Sequence, residues 1–282
     1  MPGSVVSRSG GTPAIESRVN AVTWLRTRPS AALANDEVHR APFWTPPPAA
    51  LALAGDEVHV WRVDVRSAYA HRDDLWRVLA KDERQKATNL LFEGDRRRFV
   101  VSRGVLRVLL GRYLCEQPGS LVFGYNPNGK PFLVGTAGVR FSVSHSHDLV
   151  LLAFVRDRDI GVDIEHIRED LGLDEIAARH FSTREVAALR SLPNSLRKEA
   201  FFTCWTRKEA FVKAKGRGLT LPFSLFEVTL VPGEPAMLLD VEEDIREPFR
   251  WAMQELIPGP GYAAALVVEE HSVRLSCWQY TG

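Results

Sequence analysis

Apolar and polar residues alternate at every second position along many short segments, which is the period of a β-strand with one buried face. Other segments repeat apolar residues every three or four positions, as an amphipathic helix does. The alternating pattern predicts strands at 56–64, 121–125, 131–134, 140–144, 149–155, 160–167, 226–230, 250–256, 262–268 and 274–278. The helical pattern predicts helices at 74–93, 95–115, 183–192 and 196–215.

Capping residues support several of these helix ends. Ser182, followed three positions later by Glu185, is typical of a capping box at a helix start. Gly216 follows the last predicted helix and is suited to end it. Because helices and then strands occur twice along the chain, we predict an α+β fold with two similar halves. The halves are expected at 55–160 and 161–282, with the active site between them.

The first part of the chain has a different composition. Residues 1–54 are rich in proline and show no sustained period, which predicts a flexible extension whose end lies along the domain surface. Its early part has four arginines before position 30 and only Glu16 as an acid. That composition resembles an organelle transit peptide, and a flexible or wrongly assigned start is the simpler interpretation.

Composition narrows the class of protein. Of the 282 residues, 45% are hydrophobic and 25% charged, which is typical of a folded domain and excludes a mainly disordered chain. The net charge of +1 disfavours a nucleic-acid binder that relies on electrostatic attraction. Cys115, Cys204 and Cys277 are far apart, which favours a reducing cytoplasm over a disulfide framework. The longest apolar run, 149–155, is far shorter than the ~20 residues that span a bilayer.

Two acidic residues stand out within an apolar strand. Asp163 and Glu165 are two positions apart in GVDIE, so both side chains leave the same face of the strand. Their charges repel each other and resist burial, and a divalent cation relieves both effects. Carboxylate oxygens and substrate phosphate are ligands that favour Mg²⁺. The alternative is a pair of exposed charges on an edge strand.

The last predicted helix carries further chemistry. Trp205, Glu209 and Lys213 recur every four residues and therefore share one stripe of the helix. Glu209 is a candidate third metal ligand or a base, and Lys213 a candidate phosphate ligand. The alternative is an ordinary Glu–Lys pair at the surface. Phenylalanines around these residues favour a largely buried helix instead.

Several other segments have groups that bind phosphate. The serines and His145 at 142–146 end a strand in a turn, where hydroxyls and an imidazole are good donors to phosphate oxygens. Lys130 lies on a tight turn, and the arginines at 96–98 make one helix strongly basic. The alternatives are a surface histidine, an ordinary turn lysine and a solvated helix face. Neither GxGxxG nor a Walker A run occurs, so neither common nucleotide loop is present.

The order and spacing of these segments are more specific than each one alone. GKP at 129–131, FSVSHS at 141–146, GVDIE at 161–165 and WTRKEAFVKAKG at 205–216 together resemble the 4′-phosphopantetheinyl transferase family. The length and the full flanking domain are similar to the monomeric surfactin-type (Sfp-type) branch, rather than to the shorter trimeric synthases. The resemblance covers about 56–278.

The resemblance implies a fold, an activity and partners. It implies a monomer with a pseudo-twofold α+β fold. It also implies Mg²⁺-dependent transfer of the phosphopantetheine arm of coenzyme A to a serine of an apo acyl or peptidyl carrier protein. Adenosine 3′,5′-bisphosphate would be released. The expected protein partner is small, acidic and helical, and neither nucleic acid nor a membrane is expected to bind.

The same resemblance implies roles for individual residues. The implied metal ligands are Asp163, Glu165 and Glu209. The implied catalytic residues are Glu209, Lys213 and His145. The implied coenzyme A contacts comprise basic side chains and short polar groups, namely Arg84, Lys86, Arg98, Lys130, Pro131, Ser144, His145 and Lys213. Ser142 stands where the family often has asparagine, a change from which we expect little effect.

Two other functions fit parts of the pattern. A metal-dependent nuclease also clusters acids with a lysine, but that motif needs a lysine two positions after the second acid. This chain has Ile167 there, and its net charge is +1. A carrier-protein-binding module without catalysis is the other alternative, and the retention of all three acids and Lys213 disfavours it.

Overall fold

The structure is a computed structural model that describes residues 44–135, 138–168 and 172–282, apart from the side chain of Leu219. Most of the predicted extension, residues 1–43, therefore lies outside the described residues. Its last part contacts the domain: Thr45 pairs in parallel with Trp278, and Leu53 is buried. Among the helices described, none is both long and apolar enough to cross a membrane.

The α+β class is confirmed by the elements that the structure describes. The strands are β1 Glu57–Asp64, β2 Phe123–Tyr125, β3 Pro131–Leu133, β4 Val139–Ser146, β5 Leu149–Arg156, β6 Ile160–His166, β7 Phe226–Val228, β8 Leu238–Val241, β9 Trp251–Leu256, β10 Tyr262–Glu269 and β11 Arg274–Gln279. The helices are α1 Val65–Tyr69, α2 Arg72–Val78, α3 Lys81–Asn89, α4 Glu93–Leu114, α5 Leu173–His180, α6 Thr183–Ser191 and α7 Asn194–Lys215.

Two main sheets face each other across an apolar core. The first sheet has the order β11-β1-β5-β4, and the second has the order β6-β10-β9. Buried side chains of both sheets, such as Val60, Leu151, Val162 and Leu266, form one cluster between them. Two further clusters pack α4 against the first sheet and α7 against the second. The apolar residues of β6 thus point inward, which leaves Asp163 and Glu165 on the side of α7.

The last strand, β11, lies beside the first strand, β1. β11 pairs in parallel with β1, although the predicted boundary at 161 assigned it to the second half. A parallel pair needs a long connection, and here most of the chain supplies it. No alternation in the sequence records which strand will be the neighbour.

The predicted helix at 74–93 is wrong as a single element. The chain leaves the helix at Leu79 and Ala80, both of which have extended backbones, and starts again at α3. The carboxylate of Glu83 accepts a hydrogen bond from the Ala80 N–H at 2.9 Å, and Arg107 holds that carboxylate at 2.6 Å. This buried ion pair fixes the new helix start. Because it joins residues 24 positions apart, the local period does not reveal it.

Candidate active site

Helix α7 packs unusually close to strand β6 at Gly161. A Cβ atom added there would lie 2.0 Å from the Ala210 carbonyl oxygen and 2.4 Å from the Ala214 backbone nitrogen. Only glycine permits such an approach between two backbones. The close contact brings the side chains of α7 within reach of the acids that follow along β6.

Asp163 lies at the centre of the site. Its side chain is buried, with 3% of the residue surface exposed. Its Oδ1 accepts hydrogen bonds from the Lys213 ammonium at 2.6 Å and from the Ser144 hydroxyl at 2.8 Å. Lys213 also donates to the Ser144 hydroxyl at 2.9 Å. The acid is therefore not an exposed edge charge, and Lys213 pairs with it across the strand–helix contact.

Glu165 and Glu209 flank this centre and are both partly buried. Glu165 accepts a hydrogen bond from the Ser146 hydroxyl at 2.9 Å. Burial raises the pKa of both carboxyls, and the negative charge of Asp163 raises each pKa further. Since one acid destabilises the charge of the others, the site has an excess of negative charge that a cation would relieve.

The donor set suits a magnesium ion. The second oxygen of Asp163, Oδ2, is buried and has no hydrogen-bond partner among the described residues. An unpartnered carboxylate oxygen next to two carboxyls of raised pKa is a set of hard ligands of the kind that Mg²⁺ prefers. Across the described ranges, however, no three His, Cys, Asp or Glu side chains already stand close enough to hold one ion. The positive charge beside Asp163 comes from Lys213 instead.

His145 and Arg98 belong to the same neighbourhood. The ring of His145 reaches solvent, yet the surrounding protein removes enough water that burial is the main cause lowering its pKa. The positive charges of Lys213 and then Arg98 lower that pKa further. The structure therefore brings His145, Ser144, Lys213 and Arg98 into one neighbourhood. Arg98 itself forms an ion pair with Asp95.

The ammonium of Lys130 already has hydrogen-bond partners within the protein, whereas a side chain that binds coenzyme A is expected to be free to reach it. The Lys130 ammonium donates to the carbonyl oxygens of Ile160 at 3.0 Å and Ala214 at 3.2 Å, which ties the start of β6 to the end of α7. Burial lowers the pKa of Lys130 to about 8. Lys130 and Pro131 line a cavity of about 380 Å³, whose lining does not include the three acids.

The two other basic residues, Arg84 and Lys86, lie on α3. Arg84 donates to the carbonyl oxygens of Trp76 and Arg77 and so completes the end of α2. Lys86 is exposed, and its ammonium lies 5.4 Å from the centre of the Phe99 ring. Within the part of the chain that the structure describes, neither residue forms a hydrogen bond or an ion pair with the acids.

Sequence reasoning missed the role of Lys208, the residue before Glu209. Its side chain is fully buried and pairs with Glu185 at 2.7 Å. It also donates to the carbonyl oxygens of Phe223 and Phe226. Lys208 therefore anchors a different face of α7 and leaves Glu209 facing the site. Neighbouring positions of a helix face different directions. The position of Lys208 next to Glu209 therefore indicated that it does not share the face of the acid, but nothing in the sequence indicated its partner.

Comparison with known proteins identifies the family. The chain is 38% identical to the 4′-phosphopantetheinyl transferase HetI of Nostoc sp. over 240 residues, which are 84% of this chain and 98% of HetI. The chain belongs to the 4′-phosphopantetheinyl transferase family. As a member of that family it is a transferase, and the resemblance drawn from the motifs is confirmed.

Two family models and a further relative agree with this assignment of the phosphopantetheinyl transferase. Residues 159–267 match the model of the 4′-phosphopantetheinyl transferase superfamily, and residues 67–156 match that of a 4′-phosphopantetheinyl transferase N-terminal region. The chain is also 30% identical to the 4′-phosphopantetheinyl transferase Sfp of Bacillus subtilis over 152 residues, which are 54% of this chain and 66% of Sfp. The first match contains the acids and α7, and the second contains Arg98 and Ser144.

Proposed function

We propose that this phosphopantetheinyl transferase moves the 4′-phosphopantetheine arm of coenzyme A to a serine hydroxyl of an apo acyl or peptidyl carrier protein. The reaction depends on Mg²⁺ and releases adenosine 3′,5′-bisphosphate. The observation that carries the proposal is the cluster of Asp163, Ser144 and Lys213, with Glu165 and Glu209 beside it, in a chain of this family.

Three carboxylates are proposed to hold the metal: Asp163, Glu165 and Glu209. The unpartnered Oδ2 of Asp163 and the raised pKa values of the two glutamates support this assignment. When bound, Mg²⁺ supplies Lewis-acid polarisation of the diphosphate. The remaining roles belong to side chains of this chain.

Lys213 is proposed to stabilise the charge that develops on the attacked phosphoryl group. Its ammonium already lies 2.6 Å from Asp163, so it is held in place before substrate arrives. His145, whose lowered pKa favours the neutral imidazole, and Ser144 are proposed to contact the phosphates of coenzyme A. These groups bind and orient the diphosphate.

Glu209 is proposed to take the proton of the carrier serine through a water molecule. Because the nucleophile belongs to the partner, this chain needs no serine–histidine–aspartate arrangement of its own. The proton would move from the serine oxygen through a water molecule to a Glu209 oxygen. As the new phosphorus–oxygen bond forms, the bond from that phosphorus to the bridging oxygen breaks, and that oxygen leaves with adenosine 3′,5′-bisphosphate.

The nucleotide end of coenzyme A is proposed to lie toward Lys130, Pro131 and Arg98, with Arg84 and Lys86 completing the basic group. The cavity of about 380 Å³ beside Lys130 supports this direction. We also propose that the protein acts as a monomer in the cytoplasm on an acidic helical carrier protein. Neither nucleic acid nor a membrane is a proposed partner.

The test is direct transfer. Purified protein, coenzyme A and Mg²⁺ are mixed with several apo carrier proteins, and intact mass spectrometry shows which carriers gain one arm. Adenosine bisphosphate release is measured in parallel. We expect Glu209→Gln to abolish transfer and Glu199→Gln, an exposed position on the same helix, to retain it. Carrier binding without product release would refute the proposed activity, and normal transfer by Glu209→Gln would refute the assignment of that residue.

A further inference from the structure

Three alternate serines join the two main sheets at their seam. Strands β4 and β6 belong to different sheets, so no backbone ladder connects them. Instead, serine hydroxyls of β4 accept hydrogen bonds from backbone N–H groups of β6. The bridges are Val162 N–H to Ser142 Oγ at 3.0 Å, Ile164 N–H to Ser144 Oγ at 3.3 Å and His166 N–H to Ser146 Oγ at 3.0 Å.

Two of the three bridges also hold an acid. Ser144 donates its own proton to Asp163, the residue before the bridged N–H group, at 2.8 Å. Ser146 repeats this geometry two positions further on, because it donates to Oε2 of Glu165 at 2.9 Å. The same unit, one hydroxyl between a backbone N–H group and the preceding carboxylate, thus occurs twice along the seam.

Ser142 forms the bridge without the acid. The residue before its partner Val162 is Gly161, which has no side chain to receive the hydroxyl proton. Ser142 and Ser146 therefore share the same contact to the backbone of β6 and differ in the carboxylate. A comparison of Ser142 with Ser146 therefore separates the effect of the hydrogen bond to the β6 backbone from the effect of the hydrogen bond to the carboxylate.

Hydrogen-bond chemistry explains why the carboxylate is fixed. A serine hydroxyl has a single proton, and a hydroxyl that accepts from an N–H group turns that proton away from the donor. In Ser146 the proton points at Glu165 Oε2, which restrains the rotation of a partly buried side chain. The second oxygen of Glu165 is then left to bind a metal ion.

We propose that Ser146 is a positioning residue that orients Glu165 toward the metal. The inference rests on the proposed function, because it takes Glu165 as a metal ligand. Groups that hydrogen-bond to metal ligands typically contribute about 10–100-fold to metal affinity. Ser146 acts through Glu165 and touches neither substrate nor ion. His166, which follows Glu165, contributes only its backbone N–H group to the bridge.

The experiment compares matched serine variants of the full chain. Mn²⁺, which accepts the same oxygen ligands as Mg²⁺, is titrated into the protein without coenzyme A, and free Mn²⁺ is followed by electron paramagnetic resonance. We expect Ser146→Ala to weaken Mn²⁺ binding about tenfold or more, and Ser142→Ala to change it by less than about twofold. Ser146→Thr keeps the hydroxyl and should restore affinity to within about twofold of the unmodified protein.

Stability measurements separate folding from positioning. Both alanine variants lose one bridge to β6, so we expect similar small losses of stability in urea unfolding. Should Ser146→Ala not fold, Ser146→Cys retains the shape with a weaker donor and should bind Mn²⁺ with an intermediate affinity. Equal Mn²⁺ affinities of the Ser142 and Ser146 variants would overturn the positioning role alone. A parent protein that transfers the arm yet binds no Mn²⁺ would overturn the metal ligands together with this role.

Discussion

Replacing Gly161 by alanine tests whether the close approach of β6 and α7 creates the site. The added Cβ atom would lie 2.0 Å from the Ala210 carbonyl oxygen, whereas ordinary contacts begin near 3.4 Å. The two backbones must therefore separate by about 1.4 Å. No side chain can rotate to absorb this change, because the atoms in the way belong to the helix backbone.

The magnitude follows from that displacement. Overpacking a core typically lowers the free energy of unfolding by 1–3 kcal/mol, and we expect Gly161→Ala to lie at about 3 kcal/mol. Moving α7 away also lengthens the Lys213–Asp163 contact, now 2.6 Å. A displacement of about 1 Å in a catalytic group reduces activity about 100-fold. Transfer should therefore fall by about that factor even in the fraction of protein that remains folded.

Urea unfolding and initial rates of carrier modification measure the two effects. Gly55→Ala is the matched control, because an added Cβ there meets nothing within 4 Å. The rate is taken well below the unfolding midpoint, so that loss of fold does not count as loss of activity. A Gly161→Ala protein with the stability and rate of the Gly55→Ala control would refute the close-contact explanation.

Three further predictions concern His59, Glu185 and Lys130. Burial lowers the pKa of His59 from 6.5 to about 4. Between these pH values the imidazole is therefore protonated in the unfolded chain and neutral in the folded one. Stability should thus fall by up to ~3 kcal/mol as pH drops from 6.5 to 4, and His59→Gln should lessen that fall in urea titrations. Glu185→Ala leaves Lys208 unpaired in the core and should cost about 3–5 kcal/mol by urea unfolding; an unchanged midpoint contradicts the anchoring role. Lys130→Ala should raise the KM for coenzyme A in steady-state assays, and an unchanged KM argues against its nucleotide role.

The pattern of residues predicted much of the secondary structure. Alternation located β1 and β4 to within about two residues, and Gly216 marked the end of α7, where its φ of 63° suits glycine. The order of the motifs along the chain also indicated the family. These features depend on neighbours within a few positions, so the sequence records them directly.

Other features depend on partners far apart in the chain. The break between α2 and α3 needs Arg107 to hold Glu83, and the place of β11 needs β1 as its neighbour. The basic side chains of the candidate site also have different partners, which their spacing in the sequence did not indicate. Lys213 pairs with Asp163, whereas Lys208 is buried against Glu185 and Arg84 completes a helix end.

The residues by themselves determined which chemical groups the site has, because Asp163 and Glu165 share a strand face through the two-residue period alone. Only the tertiary structure decided how those groups are held. Gly161 lets α7 approach, and the alternate serines of β4 reach across to β6. Both are contacts between segments whose relative position is set by packing of the whole domain, which no local pattern contains.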